Sequence, residues 1–333
     1  MKLQTLIFIL IFSTFVFGQK TEVKRPPIID MHLHAYPADF DLSKSPHPFT
    51  GKPPVYKDGT GHIQAVIAEM KRLNIVKGVV SIGNGSPEAV LELTKYAPDM
   101  IVPSYGMFLG TNDLPDLKEF EKAFAEKRFP VLGEIGAQYA GLSLSDPKLE
   151  PYLAIAEKYD IPVAVHTGTS FPGTPYDPCC PNFRTHFGNP QTIEDALVKH
   201  PKLRLYLMHG GAPFMQETIV IMNMYPQVYA DVAVIDWIAP RKLFHEYLQM
   251  MIKHGFGKRL MFGSDEMRWA DTIAMAIDGI ESAEFLNEEQ KRDIFCNNAA
   301  RFMKWEGKEN PCSDFNRSAD TLVRVSAKRE NGV

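Results

Sequence analysis

Short β-type apolar runs recur along the chain at Ile28–His32, Val76–Ser81, Ile101–Tyr105, Val131–Ile135, Ile161–His166, Leu203–His209, Val228–Val232 and Arg259–Gly263. Most of the intervening segments carry helical periodicity. In 63–73, Ile63, Val66, Ile67, Met70 and Leu73 fall at three- and four-residue steps, and in 114–129 Leu117, Phe120, Phe124 and Ala125 form a stripe. The stretches 213–225, 240–254 and 269–282 behave similarly, and Asn287 opens a last helix running through Met303. Eight alternations of strand and helix predict a single (β/α)8 barrel, the fold also called a TIM barrel. The competing arrangement is an open doubly wound sheet, which the absence of a Gly-rich loop after the first strand disfavours.

Strand starts are spaced by roughly 25 to 30 residues, except for longer gaps after strands 1 and 5. The excess lies in 35–59 and 167–189, both rich in proline, so both are expected to be ordered walls on the C-terminal face where barrel active sites are built.

The first eighteen residues stand apart. Lys2, the apolar run Leu6–Phe12 and a small residue at Gly18 read as a secretory signal peptide, too short to span a bilayer. The expected organisation is therefore a signal peptide at 1–18, a barrel domain at 19–305 and a polar tail at 306–333. The protein is expected to be exported, periplasmic or secreted, with no stable membrane insertion after cleavage. Export would place Cys179, Cys180, Cys296 and Cys312 in an oxidising setting, where three full pairings are open and the adjacent pair is not assumed. A net charge of −4 without a Lys/Arg block argues against a nucleic-acid partner and leaves a small molecule as the expected one. Homo-oligomerisation stays open.

Candidate chemistry lies at the strand ends. In Asp30-Met31-His32-Leu33-His34, residues two apart share a face. Glu134 lies near the end of strand 4, His166 ends strand 5, His209 ends strand 6 and Asp265 follows strand 8. Five strands thus deliver nitrogen or carboxylate donors to one rim, the donor types that a catalytic divalent ion requires, with Zn2+ favoured and Mn2+ the alternative. Asp30 shares the parity of His32, which leaves two roles open: orienting its imidazole, or a plain structural hydrogen bond. His62, His200, His245 and His254 read as solvated or capping, whereas His47 and His186 lie in the long loops. Arg184, His186 and Trp237 are the candidate substrate-binding residues, with Arg184 able to clamp a carboxylate or to anchor its loop. Tyr176 and Trp269 are further candidates for an apolar wall.

The ordered set His32-x-His34, Glu134, His166, His209 and Asp265 resembles the amidohydrolase superfamily. The runs Ile29–His34, Leu205–Gly211 and Asn297–Phe302 are similar to its amidohydrolase-related (amidohydrolase 2) branch, which includes decarboxylases of aromatic or muconate-type acids and lactone hydrolases. The resemblance spans Pro27 to about Phe302. It implies His32, His34, His166 and Asp265 as ligands of a principal metal, with His209 beside it. In a single-metal version His209 polarises the substrate or moves a proton. In a two-metal version Glu134 bridges the ions and His209 binds the second. The reading favours one tightly held ion with room for a weaker second. The implied activity is hydrolysis of a lactone, ester or amide, with Asp265 and His209 catalytic; the alternative is non-oxidative decarboxylation at the same site.

Overall fold

The computed structural model describes residues 25–313 apart from positions 84 and 112. The expected signal peptide and the chain from 314 onward lie outside the described residues. Eight strands pair in chain order, all parallel: β1 (Ile28–Ala35), β2 (Ile75–Ile82), β3 (Ile101–Met107), β4 (Val131–Ile135), β5 (Val163–Val165), β6 (Leu205–Leu207), β7 (Val228–Asp231) and β8 (Leu260–Met261). Two backbone bonds link the last strand region to the first: Met31 N–H donates to Phe262 O at 2.9 Å and Asp265 N–H to His32 O at 2.8 Å. The result is a nearly closed (β/α)8 barrel. No helix among the described residues is long and apolar enough to cross a membrane.

Strands β5, β6 and β8 are shorter than their apolar runs suggest. At the rim the chain leaves extended geometry in order to aim side chains: after β6 it turns at once, with His209 at φ 61° and Gly210 at φ 57°. Helix boundaries follow their caps. The helix α1 (Gly59–Leu73) starts earlier than the apolar stripe because the Asp58 carboxylate accepts the Gly61 N–H at 2.7 Å. Gly59 is required there, since a Cβ would sit 2.1 Å from the Pro37 carbonyl oxygen. The expected 114–129 helix is confined to Leu117–Ala125, because the Asp116 carboxylate caps its first turn.

Apolar residues divide into two sets. Ile28, Leu33 and Ala35 of β1 pack outward with the helices, for example with Ile63, Val66 and Met70 of α1. Ile29, Met31, Val79, Val102, Val131, Ala164, Tyr206 and Met261 fill the barrel interior. The interior is sealed below by the last helical segment, through Cys296, Ala299, Ala300 and Phe302. That segment begins with the expected Asn287 cap, reinforced by Gln290, but widens to a π turn at Asp293–Asn297. There the Asn298 amide donates to the Gly257 and Leu260 carbonyls, tying the helix to the foot of β8. The start of the expected tail, 306–313, is not free: Cys312 is buried and disulfide-bonded to Cys296. The other disulfide joins the neighbours Cys179 and Cys180, the pair that sequence reasoning did not assume.

Candidate metal centre

All six donors singled out in the sequence meet at the top of the barrel. Strand β1 delivers two imidazoles because its register shifts between Asp30 and Leu33. Met31 belongs to the interior and Leu33 to the outer layer, so the irregularity turns both His32 and His34 toward the barrel mouth. His34 Nε2 lies 3.0 Å from Asp265 Oδ1 and 3.6 Å from Glu134 Oε2. His32 Nε2 lies 3.6 Å from the same Glu134 oxygen and 3.8 Å from Asp265 Oδ1. On the other side of Glu134, Oε1 contacts His166 Nδ1 and lies 3.6 Å from His209 Nε2, which is itself 3.1 Å from His166 Nδ1.

Glu134 thus stands between two donor groups. His32, His34 and Asp265 form one, with donor atoms within 4.8 Å of one another. The other joins Glu134 and His209 to His32, which therefore belongs to both, and His166 Nδ1 contacts Glu134 Oε1 and lies 3.1 Å from His209 Nε2. Gly133 makes this placement feasible: at φ 145° a Cβ there would lie 2.4 Å from the Ala164 Cβ on β5.

Of the two parts open to Asp30, the geometry shows the structural hydrogen bond. Its Oδ1 accepts the backbone N–H groups of His32 and Ser264 at 3.0 and 2.9 Å, pinning the β1 irregularity to the segment after β8. The carboxylate facing the His32 ring is Asp231, at the end of β7, with Oδ2 3.3 Å from Nδ1. Asp231 also accepts the backbone N–H of His209 at 2.8 Å, so one buried side chain braces two imidazole-bearing residues. Glu266, likewise absent from the sequence reading, accepts the His34 backbone N–H at 3.1 Å. Of the histidines expected to be solvated or capping, His62 is instead fully buried 3.6 Å from Glu266, whereas His200 is a buried helix cap with Nδ1 3.3 Å from Glu157 Oε2. His62 lies on the buried face of α1, and His200 caps the C-terminus of the helix Glu194–Lys199, its backbone N–H donating to Ala196 O.

Burial disfavours charge throughout this cluster, and the signs of the shifts show what overcomes it. For His32, burial opposes protonation, but the Asp265, Asp231 and Glu134 carboxylates hold it well above the usual histidine range. For Glu134, burial opposes ionisation, but His166, His209 and His32 hold it well below the carboxylate range. Asp265 is lowered in the same way by His32 and His34 against the effect of burial. Asp30, dominated by burial, rises to about 6. The same cause, reinforced by Asp30 and Asp265, pushes Glu266 well above its usual range.

A cavity of about 1050 Å³ opens over the centre. His34, Glu134, His166, His209 and Asp265 line its base, and its walls include Tyr36, Phe108, Tyr139, Phe171, Tyr176, Arg268, Trp269 and the Cys179–Cys180 pair. The candidate substrate contacts fare unevenly. Arg184 is exposed and donates to the Pro181 and Phe183 carbonyls, anchoring the loop instead of lining the cavity. His186 is exposed against Phe187, and Trp237 is buried with its indole N–H on Ser264 O; neither lines the cavity. His47 accepts the backbone N–H groups of Phe49 and Thr50, supporting the first long loop. Sequence reasoning missed Arg268, three residues beyond Asp265, and Tyr139, whose hydroxyl donates to Ser170 Oγ at 3.0 Å and lies 3.4 Å from His166 Nε2.

An eight-stranded α/β barrel with clustered imidazoles and carboxylates at its C-terminal mouth defines the class of metal-dependent barrel enzymes. The chain belongs to the amidohydrolase family, whose model matches residues 29–305. Solved structures share the fold at low identity. An uncharacterized TIM-barrel protein from Bordetella bronchiseptica is 19% identical over 84% of this chain and 98% of its own, with a TM-score of 0.63. A dihydroxybenzoic acid decarboxylase from Polaromonas, solved with bound manganese, is 13% identical over 86% and 99%, at 0.62. A probable 2-pyrone-4,6-dicarboxylic acid hydrolase from Acinetobacter baumannii is 15% identical over 83% and 99%, at 0.56. No curated protein sequence matches the chain.

Proposed function

We propose that the protein is an exported metal-dependent hydrolase acting on a lactone, ester or amide bond of a small organic substrate. The observation that carries this reading is the set of buried donor atoms at the mouth of the barrel. His32 Nε2 and Asp265 Oδ1 are buried without a hydrogen-bonding partner and converge with His34 Nε2. Orphaned buried polar atoms are costly, and a cation between them removes that cost. Nitrogen and carboxylate donors open to a cavity fit Zn2+ first and Mn2+ second. His32, His34 and Asp265 would hold the principal ion. Glu134, His166 and His209 offer room for a weaker second.

A bound divalent ion would polarise the scissile carbonyl and bring the pKa of a water ligand to about 7. The chain's own groups supply the rest. Asp265, held ionised by its neighbours, accepts the proton of the attacking water and returns it to the leaving oxygen or nitrogen. His209, with Nδ1 3.3 Å from the Ala233 carbonyl and Nε2 directed to the cavity base, is placed to stabilise the oxyanion. Asp231 keeps His32 and His209 in register.

A second reading, non-oxidative decarboxylation of an aromatic or unsaturated acid, draws support from the decarboxylases among the structural neighbours. The deciding experiment is a screen of metal-loaded protein against lactones, esters, amides and aromatic acids. Proton release without carbon dioxide is the expected result; carbon dioxide release would install the second reading. Export is supported by the two disulfides, which suit an oxidising compartment. N-terminal sequencing of the protein from its native host tests it, with Gln19 expected as the first residue.

A further inference from the structure

Arg268 is the one Lys or Arg among the described residues lining the cavity. Its setting is built, not incidental. The guanidinium carbon lies 6.0 Å from the centre of the Tyr36 ring and 5.9 Å from that of Phe40, and these two rings stack on each other at 4.8 Å. The Arg268 carbonyl accepts the Tyr56 hydroxyl at 2.8 Å, and that hydroxyl accepts the Ala270 N–H at 2.9 Å. The next residue, Trp269, donates its indole N–H to Ser45 O at 3.0 Å. The backbone that carries the guanidinium is therefore held by hydrogen bonds on both sides of Arg268.

What this cation lacks is an anion. Its Nη1 reaches Ser45 Oγ at 3.3 Å and the guanidinium also faces the Tyr36 hydroxyl, both neutral partners, and among the described residues it is paired with no carboxylate. The nearby acid, Asp265, is engaged with His32, His34 and His209 instead. Arg25, Arg72, Arg204 and Arg241, by contrast, are each paired with an acid on the surface. A half-buried guanidinium over aromatic rings, facing a cavity with several donors still free, matches a carboxylate in geometry and charge.

We infer that the substrate is an organic anion, and that Arg268 with Ser45 holds a carboxylate of it that is not part of the bond being cleaved. The inference rests on the cavity being the substrate site of the proposed hydrolase. It assigns the β1–β8 side of the cavity to the charged end of the substrate. The rings of Phe171 and Tyr176, exposed on the strand-5 loop, are left for its apolar body.

The test is a binding cycle that needs no turnover. Metal-loaded wild-type protein and the Arg268→Met variant are titrated calorimetrically with aromatic and aliphatic carboxylic acids, each paired with its own primary amide. The wild type is expected to prefer the acid of at least one pair by about 10-fold or more, the range of a charge-assisted bidentate contact. In Arg268→Met that preference should collapse toward unity at unchanged metal content, and Arg268→Lys, which keeps the charge but not the fork, should restore part of it. If no acid is preferred by the wild type, or the preference survives in Arg268→Met, the inference is overturned. That outcome is separate from failure of the hydrolase reading, which would show as carbon dioxide release in the substrate screen.

Discussion

The floor and the mouth of the barrel are built from the same strands and obey opposite rules. At the floor, Tyr206 directs its hydroxyl to Met31 O at 3.0 Å, Asn298 satisfies two carbonyls, and the remainder is close-packed apolar side chains. At the mouth, His32 Nε2, Asp265 Oδ1 and Ser264 Oγ are buried without hydrogen-bond partners. His209, Val234, Asp265 and Met267 adopt positive φ within the site itself, at about 1–3 kcal/mol for a non-glycine residue, whereas Asn74, Lys127, Asp160 and Lys304 do so after helix ends. Val234, being β-branched, is the most strained of them. The floor spends its sequence on stability, whereas the mouth holds groups in arrangements that the chain alone does not favour. A ligand that completes the mouth is the physical resolution of that contrast.

Several substitutions break the contrast from one side at a time. The largest effect belongs to Asp265→Asn, which removes the proton acceptor at constant shape. Turnover of an identified substrate should fall about 10²–10⁴-fold while the melting temperature of the metal-free protein changes little, and metal affinity should weaken because Asp265 is also a proposed ligand. Rates near wild type would remove Asp265 from the chemistry. Next comes Asp231→Asn, a change behind the donors. Metal affinity should weaken about 10–100-fold by competition with a chelator, because His32 Nδ1 loses its carboxylate partner while the amide oxygen still accepts the His209 backbone N–H.

At the floor, Cys312→Ser should leave kcat/KM and metal content unchanged. Opening a link between residues 16 apart should cost about 3 kcal/mol in denaturant unfolding. A comparable loss of activity would show that floor and mouth are not separable.

The smallest effect is a pH dependence. In the metal-free protein, His32 and His209 are held above the usual histidine value of 6.5, so their contribution to stability is complete below that value and lost as pH rises through the raised one. Glu134 and Asp265 are lowered, so theirs is present above the ordinary carboxylate values and lost in acid. Metal requires neutral imidazoles and therefore competes with those protons. Its thermal stabilisation should be larger at about pH 8 than at about pH 6, with protons released on binding. Stabilisation that falls with rising pH would argue that the imidazoles are not ligands.

Most of the frame was legible because it is periodic. Each strand is a local apolar run, and each of the six donors lies at or beside the end of such a run, so counting strands located the rim. What escaped depends on neighbours far apart in sequence. Asp231 ends β7 as many acids end strands, and nothing local marks it as the partner of His32, which comes from β1 across the seam of the barrel. Glu266 reaches the His34 amide over a separation of 232 residues. For Asp30, parity leaves an imidazole-orienting role and a structural hydrogen bond both open, and only the register shift of β1 within the motif shows that its Oδ1 accepts backbone N–H groups. For Arg184 a carboxylate clamp and a loop anchor are equally open in the sequence, because position in a loop says nothing of side-chain direction; its guanidinium caps local carbonyls, and the cation in the cavity is Arg268 from the shorter loop after β8.

The central claim is that the side chains at the mouth share a cation. Crystals grown with Zn2+ or Mn2+ and measured at the metal's absorption edge test it directly. The account predicts an anomalous peak about 2.0–2.2 Å from His32 Nε2, His34 Nε2 and an Asp265 carboxylate oxygen, with any second, weaker peak on the His166–His209 side of Glu134. An ordered barrel with no peak at its mouth, or a peak bound only by surface residues, would contradict it.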